Sequence, residues 1–164
     1  MKGLSKTKTK CLKQGSRACF YNKKEPKIII LEGPDGSGKD TIENEIHRLT
    51  DHKHIIINRF LASNYTYAKL FKRKNFKNIC KKYLQLDAKL AEAFDGDVHM
   101  FLLWADYDEL NRRLKNRDDH YMMKHYNNVM MLFSQYLLNT RIKHHWIRNQ
   151  AKPEYIAKII LQYI

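Results

Sequence analysis

KIIILEGPDGSGKDT, residues 27–41, decides how the rest of this chain is read. Ile28 to Leu31 is a short, β-branched apolar run of the kind that fills a strand buried on both faces. Gly33 to Lys39 then fits G-x-x-x-x-G-K, and Ile42, Ile46 and Leu49 recur behind it at helical spacing. Strand, glycine-rich loop and helix is the setting a phosphate-binding loop requires. Gly33, Gly36 and Gly38 let the backbone curl so that the N–H groups of Ser37 and its neighbours face one concavity. The helix start adds its positive dipole end. Lys39 supplies the charge for the β- and γ-phosphates of a nucleoside triphosphate. A glycine turn with no ligand would not call for lysine at that place. Asp40 follows, where Ser or Thr normally gives a hydroxyl oxygen to Mg²⁺, and Thr41 comes next.

Working outward, the sequence predicts alternating strands and helices. A second apolar strand runs from His54 to Asn58 and ends in Asn58-Arg59-Phe60. Residues 61–68 read as a polar-aromatic loop with Ser63, Tyr65 and Tyr67. A helix over about 76–93 follows, with Ile79, Tyr83, Leu86 and Leu90 as its apolar stripe. A third buried strand spans 98–104. A short helix over 108–116 carries Arg112 and Arg113, with Arg117 at its end, and a long helix covers about 121–139. Lys143 to Arg148 is a fourth strand, and Pro153 opens a closing helix. The order predicts an α/β chain in which a parallel sheet of about four strands is covered by helices on both faces. Ligands of such sheets sit beyond the carboxyl ends of the strands, which places Arg59 on the same rim as Lys39.

Composition narrows the functional classes. The chain has 164 residues, 43% of them hydrophobic and 12% aromatic, enough for one globular domain. No apolar run approaches the ~20 residues of a membrane span. The basic N-terminus has no apolar core of a secretory signal, and the three cysteines form neither a disulfide framework nor a metal-ligand pattern. A reducing, cytoplasmic setting is expected. His144-His145 reads as a structural pair within a strand. The net charge is +14, and residues 1–27 carry nine Lys/Arg against one Glu. Residues 1–26 read as a basic, mostly disordered tail ahead of a domain over 27–164. Residues 68–82 hold seven further basic residues and no acid. Such charge attracts polyanions, whether nucleotides, nucleic acid or anionic surfaces.

Four segments in order give a resemblance. Residues 31–39, LEGPDGSGK, are similar to the F-E-G-x-D/E-G-x-G-K of thymidylate kinases and related P-loop nucleoside and nucleotide kinases. Residues 58–67, NRFLASNYTY, resemble that family's D-R-Y-x-x-S-x-x-A-Y. Residues 103–117 resemble its strand-end and lid segment, and residues 146–154 its last strand and turn. The resemblance implies the three-layer P-loop NTPase fold and transfer of the ATP γ-phosphoryl group, with Mg²⁺, to a deoxynucleoside monophosphate, dTMP first. It places Gly33 to Thr41 at the donor phosphates and Asp35 near the acceptor's sugar. Arg59 would sit at the acceptor's phosphate, with Phe60, Ser63 and Tyr67 lining that pocket. Arg113 and Arg117 would close over the donor, and Thr41 and Asn58 would stand at the metal. It also allows a homodimer. Asn58 departs from the family's Asp, and the segment between the first helix and Asn58 is short. Two alternatives stay open: a nucleic-acid-associated protein that keeps the kinase fold without efficient catalysis, and a kinase for a nucleoside or a polynucleotide end.

Overall fold

The structure is a computed structural model that describes residues 25–115 and 120–164. The basic tail expected over 1–26 lies, but for its last two residues, outside the described residues, and so does Arg117. Ten elements follow in order: β1 (Ile28–Glu32), α1 (Lys39–Thr50), β2 (Ile55–Asn58), α2 (Leu61–Leu70), α3 (Phe76–Phe94), β3 (Val98–Trp104), α4 (Tyr107–Leu114), α5 (His120–Leu137), β4 (Lys143–Arg148) and α6 (Pro153–Gln162). The four strands form one parallel sheet in the order β2-β1-β3-β4. The α/β fold expected from the sequence is therefore present, with a four-stranded parallel sheet of the P-loop type.

Alternation along the two central strands builds two cores. Ile29 and Leu31 of β1, with Phe101 and Leu103 of β3 and Ile147 of β4, face α1 and α6, where Ile42, Ile46, Ile156 and Ile160 are buried. Ile30, Met100 and Leu102 face the other way, against Leu61 and Tyr65 of α2, Leu110 of α4 and Val129, Phe133 and Tyr136 of α5. Successive side chains of a strand point to opposite faces, so one apolar run supplies both layers. His145 stacks on Phe101 at 5.3 Å and on Tyr163 at 4.0 Å, which gives it a packing role.

Residues 61–68, expected as a loop, are helix. Six of the ten α2 residues are buried, spread round the helix rather than along one stripe, because α2 packs between α3 and α5. A helix buried all round shows no amphipathic period. Its start is held by a residue distant in sequence: the Glu32 carboxylate, at the end of β1, accepts the amides of Phe60 (2.9 Å), Ala62 (3.0 Å) and Ser63 (3.2 Å) and the Ser63 hydroxyl. Glu32 thus does from another strand what a capping side chain does locally.

The expected stripe of α3 also needs one correction. Leu86 is exposed, and the buried position beside it belongs to Asp87. That carboxylate accepts the Tyr136 hydroxyl (2.6 Å), the Thr140 hydroxyl (2.5 Å) and the Arg141 amide (2.8 Å), tying α3 to the turn between α5 and β4. Burial and the Asp87 hydrogen bond push the Tyr136 phenol well above its ordinary pKa. A polar residue that brings its own partners has taken a place the apolar period assigns to the core.

Candidate active site

The strand order reverses between β1 and β3: the chain goes from β1 outward to β2, then returns to β3 and proceeds to β4. At such a switch point the loops diverge and leave a crevice at the carboxyl ends of the strands. The loop after β1 occupies it. A Cβ on Gly33, whose φ is +139°, would run into the Leu103 carbonyl oxygen, so only glycine lets β1 leave the sheet beside β3. Gly38 starts α1 in the left-handed region (φ +85°), and a Cβ there would meet the Asn149 amide at 2.6 Å.

Lys39 is buried and folded back into the loop. Its Nζ donates to the carbonyls of Gly33 (2.8 Å) and Pro34 (2.9 Å) and lies 3.3 Å from the Ser37 hydroxyl. Burial, with the Arg59 cation nearby, pulls its pKa down to about 8. The ammonium is thus held by weak neutral acceptors that a polyanion can replace.

A cavity of about 610 Å³ opens in front of the loop. Gly38, Lys39, Asp40 and Thr41 line it together with Arg59, with Arg112 and Arg113 of α4, and with the turn 149–153. Arg113 is positioned by three acceptors: Glu109 (2.7 Å), the Asn149 carbonyl (2.7 Å) and, at 3.4 Å, the Gly36 carbonyl. Asn149, which is buried, also donates to the Ser37 carbonyl at 2.7 Å. Glu109 is held down to about 2 by its hydrogen bonds from Arg112 and Arg113. Glu109, one helical turn earlier on α4, is thus the ion-pair partner of Arg113.

On the other side of the loop, Arg59 pairs with Asp35, and the Tyr67 hydroxyl lies 3.4 Å from the second Asp35 oxygen. Arg59 adopts φ +61°, a conformation that L-residues other than Asn and Asp rarely take, immediately after β2. Phe60 is half-buried and packs on the core. Ser63 is buried, is not in the lining of the cavity, and donates its hydroxyl to Glu32 at the start of α2.

The two departures from the family pattern touch each other. Asn58 Nδ2 donates to Asp40 (2.5 Å) and to Glu43 (3.0 Å), which fixes the amide's orientation, and Asn58 Oδ1 is buried without a partner. The carboxylate that the family pattern places at the end of this strand is thus matched by one across the contact, on α1. Asp40, the exposed Thr41 and the unpartnered Asn58 oxygen are all hard oxygen donors, the kind Mg²⁺ takes. The residue types therefore fit that ion. Among the described residues no group of three or more His, Cys, Asp or Glu is placed to hold a metal by itself.

Sequence reading missed Glu32, Glu109 and Asn149. Glu32 and Asn149 sit within the quoted motifs, as E-G after the strand and N-Q-A-K-P before the last helix. Their partners lie 28 or more residues away and carry no local signal.

No family model matches the chain. A curated relative, the SPbeta prophage-derived uncharacterized protein YorR of Bacillus subtilis (strain 168), is 26% identical over 160 residues, covering 90% of this chain and 94% of its own. Among solved structures, the Bacillus subtilis YorR protein in complex with phosphorylated GDP is similar, with a TM-score of 0.63 and 23% identity over 82% of this chain and 94% of that one. A sugar kinase from Janibacter sp. HTCC2649 gives a TM-score of 0.47 at 14% identity, covering 84% and 94%. The chain thus shares its α/β fold, a four-stranded parallel sheet covered by helices, with the YorR structure. No helix among the described residues is long and apolar enough to cross a membrane.

Proposed function

We propose that this chain is an ATP- and Mg²⁺-dependent phosphotransferase whose acceptor is a deoxynucleoside monophosphate, with dTMP as the first candidate. The observation that carries the reading is the convergence of Lys39, Arg59, Arg112 and Arg113 on one cavity at the carboxyl ends of the strands. Phosphoryl transfer needs alignment and positive charge around spreading negative charge more than covalent help from the protein. Four cations around the glycine-rich loop supply that.

Each residue then has a task. The amides of Gly36, Ser37 and Gly38 and the Lys39 ammonium receive the donor phosphates, and Lys39 exchanges the carbonyls of Gly33 and Pro34 for phosphate oxygens. Arg113, with Arg117, covers the donor. Arg59 takes the acceptor phosphate in place of its Asp35 partner, which frees Asp35 for the acceptor's sugar hydroxyl, with Tyr67 and Phe60 walling that pocket. Asp40, Thr41 and Asn58 would hold Mg²⁺, which supplies charge neutralisation at the β- and γ-phosphates when bound. Asn58 also bears on the acceptor's class. A monophosphate is already ionised and needs no general base, whereas a nucleoside hydroxyl would be served by one. An amide at the end of β2 suits the former.

The test is transfer from ATP with Mg²⁺ to a panel of the deoxy- and ribonucleoside monophosphates, GDP, thymidine and a 5′-hydroxyl oligonucleotide. Turnover confined to dTMP or another deoxynucleoside monophosphate is expected. Turnover confined to guanine nucleotides would keep the phosphotransferase and overturn dTMP. Turnover on the oligonucleotide end alone would overturn the mononucleotide acceptor, and none at all would overturn the reaction.

A further inference from the structure

We infer that the rim formed by the end of α2, the turn that follows it and the first half of α3 binds single-stranded nucleic acid, a surface separate from the donor cavity. Between residues 68 and 82 seven cations occur without an acid. Lys69 is engaged with Tyr65 and Gln135. The other six side chains, Lys72, Arg73, Lys74, Lys77, Lys81 and Lys82, are exposed and make no hydrogen bond or ion pair with the described residues. A charged face kept for solubility is commonly interleaved with acids that satisfy it, as Arg48 is by Glu45 and Lys158 by Glu154 elsewhere on this molecule. Here six like charges repel one another, and the arrangement gains when a polyanion neutralises them.

The shape favours a chain of phosphates over a single one. Lys74, Lys81 and Lys82, with the amide side chains of Asn75, Asn78 and Gln85, line a groove of about 460 Å³ floored by Ile79. Positions 76 to 85 of α3 span about 14 Å of helix axis, room for two or three phosphates of an extended strand. The groove is open and lined only by α3 and the turn before it, unlike a pocket that encloses a small ligand.

Aromatic side chains beside the cations favour unpaired bases. Tyr67, Phe71 and Tyr121 form a ladder, with centroids 6.0 and 5.4 Å apart and planes within 26° of parallel, and His125 continues it at 4.4 Å from Tyr121. Phe71 and Tyr121 remain 48% and 46% exposed, so the offset stack leaves ring surface open to solvent. Phe71 directly precedes Lys72-Arg73-Lys74. Because α3 leads into a parallel strand, its first turns lie at the carboxyl ends of the sheet, the same end as the start of α5 and Tyr121. Cations that follow a backbone, next to rings that take bases, are what single-strand binding uses, and a paired base has no free face to offer.

The test is fluorescence anisotropy of a labelled single-stranded oligonucleotide of about 12 nucleotides, inside the range such surfaces cover. It is titrated with the full chain at several salt concentrations. The Lys74→Ala/Lys81→Ala/Lys82→Ala variant should lower the slope of log K against log salt by about 2 and weaken binding about a hundredfold at 0.1 M salt. Phe71→Ala should weaken it on the order of tenfold with the slope unchanged. The lysine variant should leave turnover of a mononucleotide acceptor where it was. An unchanged slope in the lysine variant, or a Phe71→Ala variant that binds like wild type, overturns the inference. So does a duplex of the same sequence binding as tightly, capture of phosphatidylserine vesicles in place of the oligonucleotide, or mononucleotide turnover falling in step with binding.

Discussion

Glu32→Ala removes an acceptor on which four donors converge, and its effect is expected on both folding and the acceptor site. Phe60, Ala62 and Ser63 lose the partner of their amides, and Ser63 loses that of its hydroxyl. A buried donor left unpaired costs about 1–3 kcal/mol. The sum is not the net effect, because removing the carboxylate also recovers the penalty of burying it, the same penalty that pushes the Glu32 pKa up. Water can also reach the half-buried Phe60. Losses on breaking one side of a buried charged cluster run at about 3–5 kcal/mol, and that is the expectation here. For a domain of this size it corresponds to a fall in Tm of roughly 6–20 °C. Glu32→Gln keeps one acceptor oxygen but turns an NH₂ toward donors, and about half the loss is expected. The first turn of α2 follows Arg59 and carries Tyr67 on its next turns, so in the Gln variant the acceptor's KM should rise while that of ATP stays close to wild type. Denaturant unfolding and steady-state kinetics read the two effects. A Glu32→Ala loss below about 1 kcal/mol, with both KM values unmoved, would falsify the view that this carboxylate organises α2 and the acceptor side.

Three further outcomes follow from the same geometry. With Lys39 titrating at about 8, about half of the free protein carries it neutral at pH 8, so binding a nucleoside triphosphate there should take up about half a proton. Calorimetry in buffers of different ionisation heat measures this, and Lys39→Met should abolish it. The corresponding sign for folding is that, between about 8 and the unfolded value of 10.5, the folded chain binds fewer protons and this site's contribution to stability rises with pH. Asp40→Ala removes one of the three oxygen donors proposed for Mg²⁺ and should weaken Mg²⁺ binding in the presence of nucleotide by at least about 10-fold. Adding Asn58→Asp should restore most of it, read as the Mg²⁺ dependence of thermal stability; an unchanged dependence in Asp40→Ala would remove Asp40 from the metal's surroundings. Asp87→Ala strands the Tyr136 and Thr140 hydroxyls and the Arg141 amide. It should cost about 3 kcal/mol or more in urea unfolding without changing ligand affinity, and a loss near zero would mean that water replaces the carboxylate.

The fold was largely legible because its signals are local. Three β-branched residues before a glycine loop, a 3.6 period in α1, α5 and α6, and Pro153 at the start of α6 each depend only on neighbouring residues. What escaped depends on partners far along the chain. α2 shows no period because its neighbours surround it, and its capping group arrives from β1. Leu86 and Asp87 exchange their expected places because one donor from α5 and two from the α5–β4 turn meet at Asp87. In the candidate site the loop and its lysine were readable from a motif, and Arg59 and Arg113 from their places beside strand and helix ends. The Asp35–Arg59 pair, the Asn149 brace under the loop and the contact between Asp40 and Asn58 were not, since no spacing in the sequence encodes which loops meet above a sheet.

The most direct measurement is transfer of γ-labelled phosphate from ATP to dTMP by the wild-type chain and by Lys39→Ala, at matched concentrations and with the fold checked by circular dichroism. Labelled dTDP from the wild type, and a loss of at least about a thousandfold in the variant, is the predicted result for a group that stabilises charge on the transferring phosphoryl. Equal transfer by both proteins would contradict the assignment of the loop as the donor site.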